Sequence, residues 1–158
     1  MTTFVFDTNA VEQLGHYYPS SFPTFWDHFA VMVKERLAIS VREVQRELER
    51  RDHKAWLRAW LKEHPGFFTV PGPAETAFVA EIFRVKHFQA LVGERQRLQG
   101  TPVADPFVIA AARTRKGSCV VTQETLKPNA AKIPNVCDRF GIDWTDFEGF
   151  LKRNGWSY

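Results

Sequence analysis

The chain has 158 residues, enough for one domain with a full core, and its 44% hydrophobic and 25% charged residues are an ordinary globular balance. A formal net charge of +3 tilts the class of partner toward anions such as nucleic acid. The spacing of Cys119 and Cys137 excludes a paired zinc or disulfide framework, no basic-then-apolar leader is present, and no apolar run approaches the roughly 20 residues of a membrane helix, so a soluble cytoplasmic protein with no membrane partner is expected.

Thr3–Phe6 is a β-branched and aromatic run that ends abruptly in Asp7, Thr8 and Asn9, which reads as a strand delivering a carboxylate to its C-terminal end. A short helix is expected over Asn9–Leu14, and Gly15, Pro19 and Pro23 punctuate the loop after it. Phe22, Phe25, Trp26, Phe29 and Val33 stand at helical spacing and predict an amphipathic helix over Phe22–Glu35. Leu37–Ser40 reads as a second strand. Ser40, with Glu43 three residues on, has the form of a capping box, opening a helix that turns Val44 and Leu48 inward.

Trp56, Leu57, Trp60 and Leu61 continue a helical stripe until His64-Pro65-Gly66, and Phe67–Val70 reads as extended. Ala74–Val92 reads as the longest helix. Gly93, Gly100 and Pro102 bracket a mobile, basic stretch before a helix over Pro106–Arg115. Ser118–Thr122 is a β-branched strand, Lys127–Asn135 a loop and Val136–Phe140 a short helix. A last strand, Gly141–Trp144, leads to a last helix, Thr145–Asn154. Strands too apolar to face water, alternating with helices, predict an α/β fold with a mostly parallel central sheet of about four or five strands covered on both faces.

Four acids stand at suggestive places: Asp7 ends the first strand, Glu47 lies in the helix after the second, Asp105 opens the helix at Pro106, and Glu124 follows the strand at Thr122. Each has a purely structural explanation. Asp7 suits an Asx-turn or a helix cap, Asp105 before Pro106 suits an N-cap, Glu47 a solvated helix face and Glu124 a loop. Strand C-termini and helix N-termini share one edge of a parallel sheet, however, so all four can converge there, where ligands of such sheets bind. Clustered carboxylates raise one another's pKa and persist when a hard cation neutralises them; oxygen-only ligands select Mg²⁺ or Mn²⁺, whose chemistry suits phosphodiester hydrolysis.

Phe6-Asp7-Thr8-Asn9, Ser40 with Glu47-Leu48, Ala104-Asp105 with Ile109-Ala110-Ala111-Ala112, and Val121-Thr122-Gln123-Glu124 together resemble the PIN-domain nucleases, in particular the short prokaryotic VapC-like toxin ribonucleases. The resemblance spans nearly the whole chain and implies a single PIN-like three-layer α/β/α domain over residues 1–158. It places Asp7, Glu47 and Asp105 as the three central acids and Glu124 as the fourth, more often Asp. Thr122 matches a threonine before that acid, and Asn9 a small polar residue near the site. It implies an endoribonuclease using Mg²⁺ or Mn²⁺ and a metal-activated water, a homodimer, and a protein antitoxin as partner. The longer Lys127–Val136 connection and Trp56 and Trp60 depart from the general pattern and mark a distinct subgroup. Glu43, one turn before Glu47, competes with it as a ligand.

Arg46, Arg50, Lys54, Arg58 and Lys62 recur every four residues and form either an RNA-tracking ridge or a solvated face balanced by Glu49, Asp52 and Glu63. Arg95, Arg97, Arg113, Arg115 and Lys116 are further candidates. Trp56 and Trp60 suit base stacking or, beside Leu57 and Leu61, core or dimer contacts; the five histidines show no ligand spacing. The alternative function is a catalytically silent PIN-fold module that binds nucleic acid or protein. A HAD-type phosphotransferase would need a second Asp where Asn9 stands, and no Gly-rich nucleotide-binding motif is present.

Overall fold

In a computed structural model, which describes residues 1–92 and 103–158, five parallel strands form one sheet in the order β3-β2-β1-β4-β5. The strands are β1 (Thr3–Phe6), β2 (Ala38–Val41), β3 (Phe68–Thr69), β4 (Ser118–Val121) and β5 (Asp143–Thr145). The helices are α1 (Thr8–Gln13), α2 (Pro23–Lys34), α3 (Arg42–Glu49), α4 (Ala55–Glu63), α5 (Pro73–Arg84), α6 (Ala104–Arg113), α7 (Ile133–Phe140) and α8 (Phe147–Arg153). Helices flank the sheet in a three-layer α/β/α arrangement, as the alternating pattern predicts. Among the described residues no helix is long and apolar enough to cross a membrane. Gly93, Gly100, Pro102, Arg95 and Arg97 lie outside the described residues.

The two faces of the sheet are packed differently. Phe4 and Phe6 point to the same side, both meeting Phe150 of α8 edge-on at centroid distances of 4.9 and 5.0 Å. Phe6 also meets Phe29 of α2 edge-on at 5.7 Å, and Trp26 of α2 carries the aromatic layer outward to Trp56 and Trp60 of α4. The two α4 tryptophans are therefore part of the packing of this layer. Side chains alternate along a strand, so Val5 faces the other way, toward α6. There Ala110, Ala111 and Ala112 are buried, and small residues let that helix lie close against β1, β2 and β4. Cys119 and Cys137 are buried free thiols, and burial pushes the Cys119 thiol up to about 12.

Several boundaries differ from those the sequence predicts, each for a local reason. Ser40 is a strand residue and caps nothing: its hydroxyl donates to the Phe6 carbonyl at 2.7 Å, and α3 starts at Arg42 with Val41 at its N-cap. The long helix expected to reach Val92 stops at Arg84, where Val85 is extended. Gln89 reaches back to donate to the Phe83 carbonyl at 3.0 Å, and the break returns Phe88 to Phe140, which Phe78 also contacts. The third strand is shorter than Phe67–Val70 because Pro65–Phe67 forms a 3-10 turn. Helix α7 starts at Ile133 rather than Val136, with Pro134 in its first turn, and ends on Gly141 at φ 68°, a conformation that favours glycine.

Phe6 and Ser40 both hold the end of β1. Urea denaturation should show Phe6→Ala destabilised by about 3–5 kcal/mol for lost aromatic packing, and Ser40→Ala by about 1–3 kcal/mol for the lost donor to a buried carbonyl. A Phe6→Ala variant as stable as the parent would contradict the central placement of this ring.

Candidate functional site

The sheet order places a topological switch at β1: the chain leaves β1 for β2 on one side and, after β3, returns to β4 on the other. Crevices at the carboxyl ends of strands at such a point bind ligands in open α/β sheets. Phe6 is paired with Val121, and the Asp7 amide continues the ladder by donating to the Val121 carbonyl at 3.0 Å. Asp7 and Thr122 therefore emerge side by side.

Asp7 is 2% exposed, and both its oxygens are held. The Ala10 amide donates to Oδ1 at 2.7 Å, so Asp7 does cap α1, and the Thr122 hydroxyl donates to Oδ2 at 2.5 Å. Thr122 in turn accepts from the Glu124 amide at 3.1 Å, which fixes the start of the segment carrying the fourth acid. Thr8, at the start of α1, donates its hydroxyl to Glu47 Oε2 and so ties α3 to the end of β1. Asp105 lies within the first turn of α6, whose N-cap is Val103, so helix capping does not account for it.

Asp7, Glu47, Asp105 and Glu124 line one cleft of about 260 Å³, together with Thr8, Asn9, Arg51 and Lys132. The crowding is visible at the two aspartates. Asp7 is pushed up to about 7, first by burial and then by the charges of Glu124 and Glu47, against the hydrogen bonds from Thr122 and Ala10. Asp105 is pushed up to about 8, first by burial, then by Glu124, Asp7 and Glu47, with Lys132 opposing. The four acids thus share one electrostatic environment.

The donor chemistry of the cleft, carboxylates and hydroxyls with no sulfur or imidazole among the described residues, suits a hard divalent ion. Among the described residues no three His, Cys, Asp or Glu side chains form a closed ligand group. An open cleft fits Mg²⁺ all the same, because that ion keeps several waters and uses only one or two carboxylates.

Other candidates fall elsewhere. Glu43 is 2% exposed and does not line the cleft; Arg42 donates to its Oε2 at 3.2 and 3.0 Å, and its Oε1 is buried with no partner among the described residues. One turn on, the helix face has rotated by about 40°, and it is Glu47 that reaches Thr8 and the cleft. The ridge from Arg46 to Lys62 is not continuous, because α3 ends at Glu49 and α4 begins at Ala55. Arg46, Arg50 and Lys54 do not line the cleft; Lys54 donates to the Tyr18 hydroxyl at 3.0 Å. Arg113 stands 5.6 Å over the Phe78 ring, at the opposite end of α6 from Asp105.

Among the described residues the cations that line the cleft are Arg51 and Lys132, and sequence reasoning missed both, along with Thr8. Arg51 donates to Glu12 at 2.7 Å and to Asn9 Oδ1 at 3.4 Å, which brings the link between α3 and α4 to the cleft. Lys132 stands 3.6 Å from Glu124 Oε2. Neither had a periodic signal. Thr8 had one available, its place directly after the strand-ending acid.

A family model matches residues 4–158. The chain belongs to the family described as a domain of unknown function, DUF4411. The match takes in every acid of the cleft, both flanking cations and all five strands. No curated protein matches the chain, and no solved structure does.

The raised carboxyls set a pH dependence. Unfolded, both aspartates ionise near their ordinary 3.8; folded, they hold their protons up to about 7 and 8. Between these limits the native chain binds protons that the unfolded chain has lost, so stability falls as pH rises across that window and levels off above it. Thermal melts in a chelator from pH 4.5 to 8.5, values chosen to bracket roughly this window, should show a declining Tm. Asp105→Asn should flatten the decline and raise Tm at the alkaline end. A Tm that rises with pH would contradict the crowding.

Proposed function

We propose that this chain is a metal-dependent endoribonuclease of PIN type that hydrolyses RNA phosphodiester bonds. The observation that carries the proposal is the convergence of Asp7, Glu47, Asp105 and Glu124, drawn from four separate segments, on one cleft at the switch point of the sheet. The charge pattern supports it: a carboxylate cluster with Arg51 and Lys132 at its margin suits a divalent cation together with a phosphate substrate. The resemblance to VapC-like toxins makes the toxin of a toxin–antitoxin pair the specific form of this reading. It carries with it a cytoplasmic location, a protein antitoxin and a second copy of the chain as partners.

Mg²⁺ or Mn²⁺, when bound, supplies a Lewis acid for the phosphoryl oxygen and lowers the pKa of its water. The chain's residues provide the rest. Asp7, held at both oxygens by Ala10 and Thr122, keeps its remaining lone pairs in a fixed direction. Thr8 does the same for Glu47. Asp105 adds a carboxylate from α6, and Arg51, braced by Glu12, presents a guanidinium to an incoming phosphate. The aromatic layer under β1 gives these groups a rigid base.

The purified chain should cleave single-stranded RNA when supplied with Mn²⁺ or Mg²⁺, and not in a chelator. Asp7→Asn should abolish the cleavage. Thr122→Val, which leaves the carboxylate without its orienting donor, should lower activity by about 10- to 100-fold. Cleavage that needs no metal and survives Asp7→Asn would sink the proposal. The alternative reading is a silent PIN-fold module that binds nucleic acid or protein; RNA retention without cleavage or metal uptake would select it.

A further inference from the structure

We infer that Lys132 is a built-in counter-cation of the cleft: it engages Glu124 and occupies the place of a second metal, so that the site takes a single divalent ion. The inference rests on the metal-site reading above and concerns how many ions that site accepts.

Lys132 is delivered by a well-anchored segment. It is the N-cap residue of α7, and the Val136 amide donates to its carbonyl at 3.1 Å. The next residue, Ile133, is completely buried, and Asn135 Nδ2 donates to the Lys127 carbonyl at 2.7 Å, closing the loop behind it. The backbone of Lys132 is thereby fixed at the edge of the cleft. Its ammonium stands 3.6 Å from Glu124 Oε2, with the Glu124 side chain mostly shielded from solvent. Lys132 lines the same cleft as the four acids, its own side chain partly exposed at the edge.

A metal that took Glu124 as a ligand would bond its oxygen at about 2 Å. Where that oxygen is Oε2, Lys132 Nζ would lie at most about 6 Å from the dication and repel it. Two-metal phosphodiester sites hold their ions about 3.5–4 Å apart, and the carboxylate facing Lys132 is the one such a second ion would need.

The test is Mn²⁺ binding to the whole chain, followed by titration calorimetry and by the electron paramagnetic resonance of free Mn²⁺. The parent and Lys132→Arg should each take up one ion, and Asp7→Asn none. Lys132→Met, and Lys132→Gln as a second variant checked for folding by circular dichroism, should take up a second ion. Two ions in the parent, or one ion in both folded Lys132 variants, overturns the inference while leaving the metal site standing. No Mn²⁺ uptake by the parent overturns the metal-site reading and this inference with it.

Discussion

Four carboxylates gathered in one cleft repel one another, and the arrangement around the end of β1 is organised to withstand that repulsion. Asp7 sits at its centre, with one oxygen committed to the Ala10 amide and the other to the Thr122 hydroxyl. These bonds favour the ionised form, yet burial and the neighbouring acids outweigh them and lift Asp7 to about 7. The strain is electrostatic. It is carried by the fold, because Asp7 and Thr122 continue a ladder that β1 and β4 already pin in register.

That register depends on the asymmetry of the two helical layers. On one side, Phe4 and Phe6 project into a layer of Phe and Trp rings from α2, α4 and α8, most of them meeting edge to face. Such pairs fix mutual orientation more strictly than aliphatic contacts do. On the other side, the alanines of α6 allow its backbone to approach the sheet, which brings the first turn of that helix, and Asp105, over the ends of β1 and β4. The packing that stabilises the sheet and the geometry that gathers the acids are thus the same contacts. A cavity beneath Phe6 would be felt at Asp7, its neighbour in the chain.

The cations follow a different logic. Arg51 and Lys132 reach the cleft from irregular segments, one between α3 and α4 and the other at the start of α7, and each is braced by an acid, Glu12 or Glu124. Neither belongs to an apolar or charged periodicity. The regular series from Arg46 to Lys62, by contrast, is split between two helices and stands outside the cleft. Periodicity in the chain reports a shared helical face only while the helix lasts, and here it stops at Glu49.

The sequence by itself determined the class of the fold and the identity of the acids. Local apolar patterning sets where strands and helices form, and Asp7, Glu47, Asp105 and Glu124 each sit next to such an element at the end that a parallel sheet turns to one edge. Element ends were less legible. Ser40 has the residue type of a cap but spends its hydroxyl on the Phe6 carbonyl of a neighbouring strand, and the helix after Pro73 breaks at Val85 so that Phe88 can return to Phe140. Only the tertiary structure decided between Glu43 and Glu47 as the residue that lines the cleft, and only it brought in Thr8, Arg51 and Lys132. The reason is the same in each case: those choices depend on contacts between segments remote in the chain, where burial and pairing with a specific partner outweigh the local preferences that a sequence pattern records.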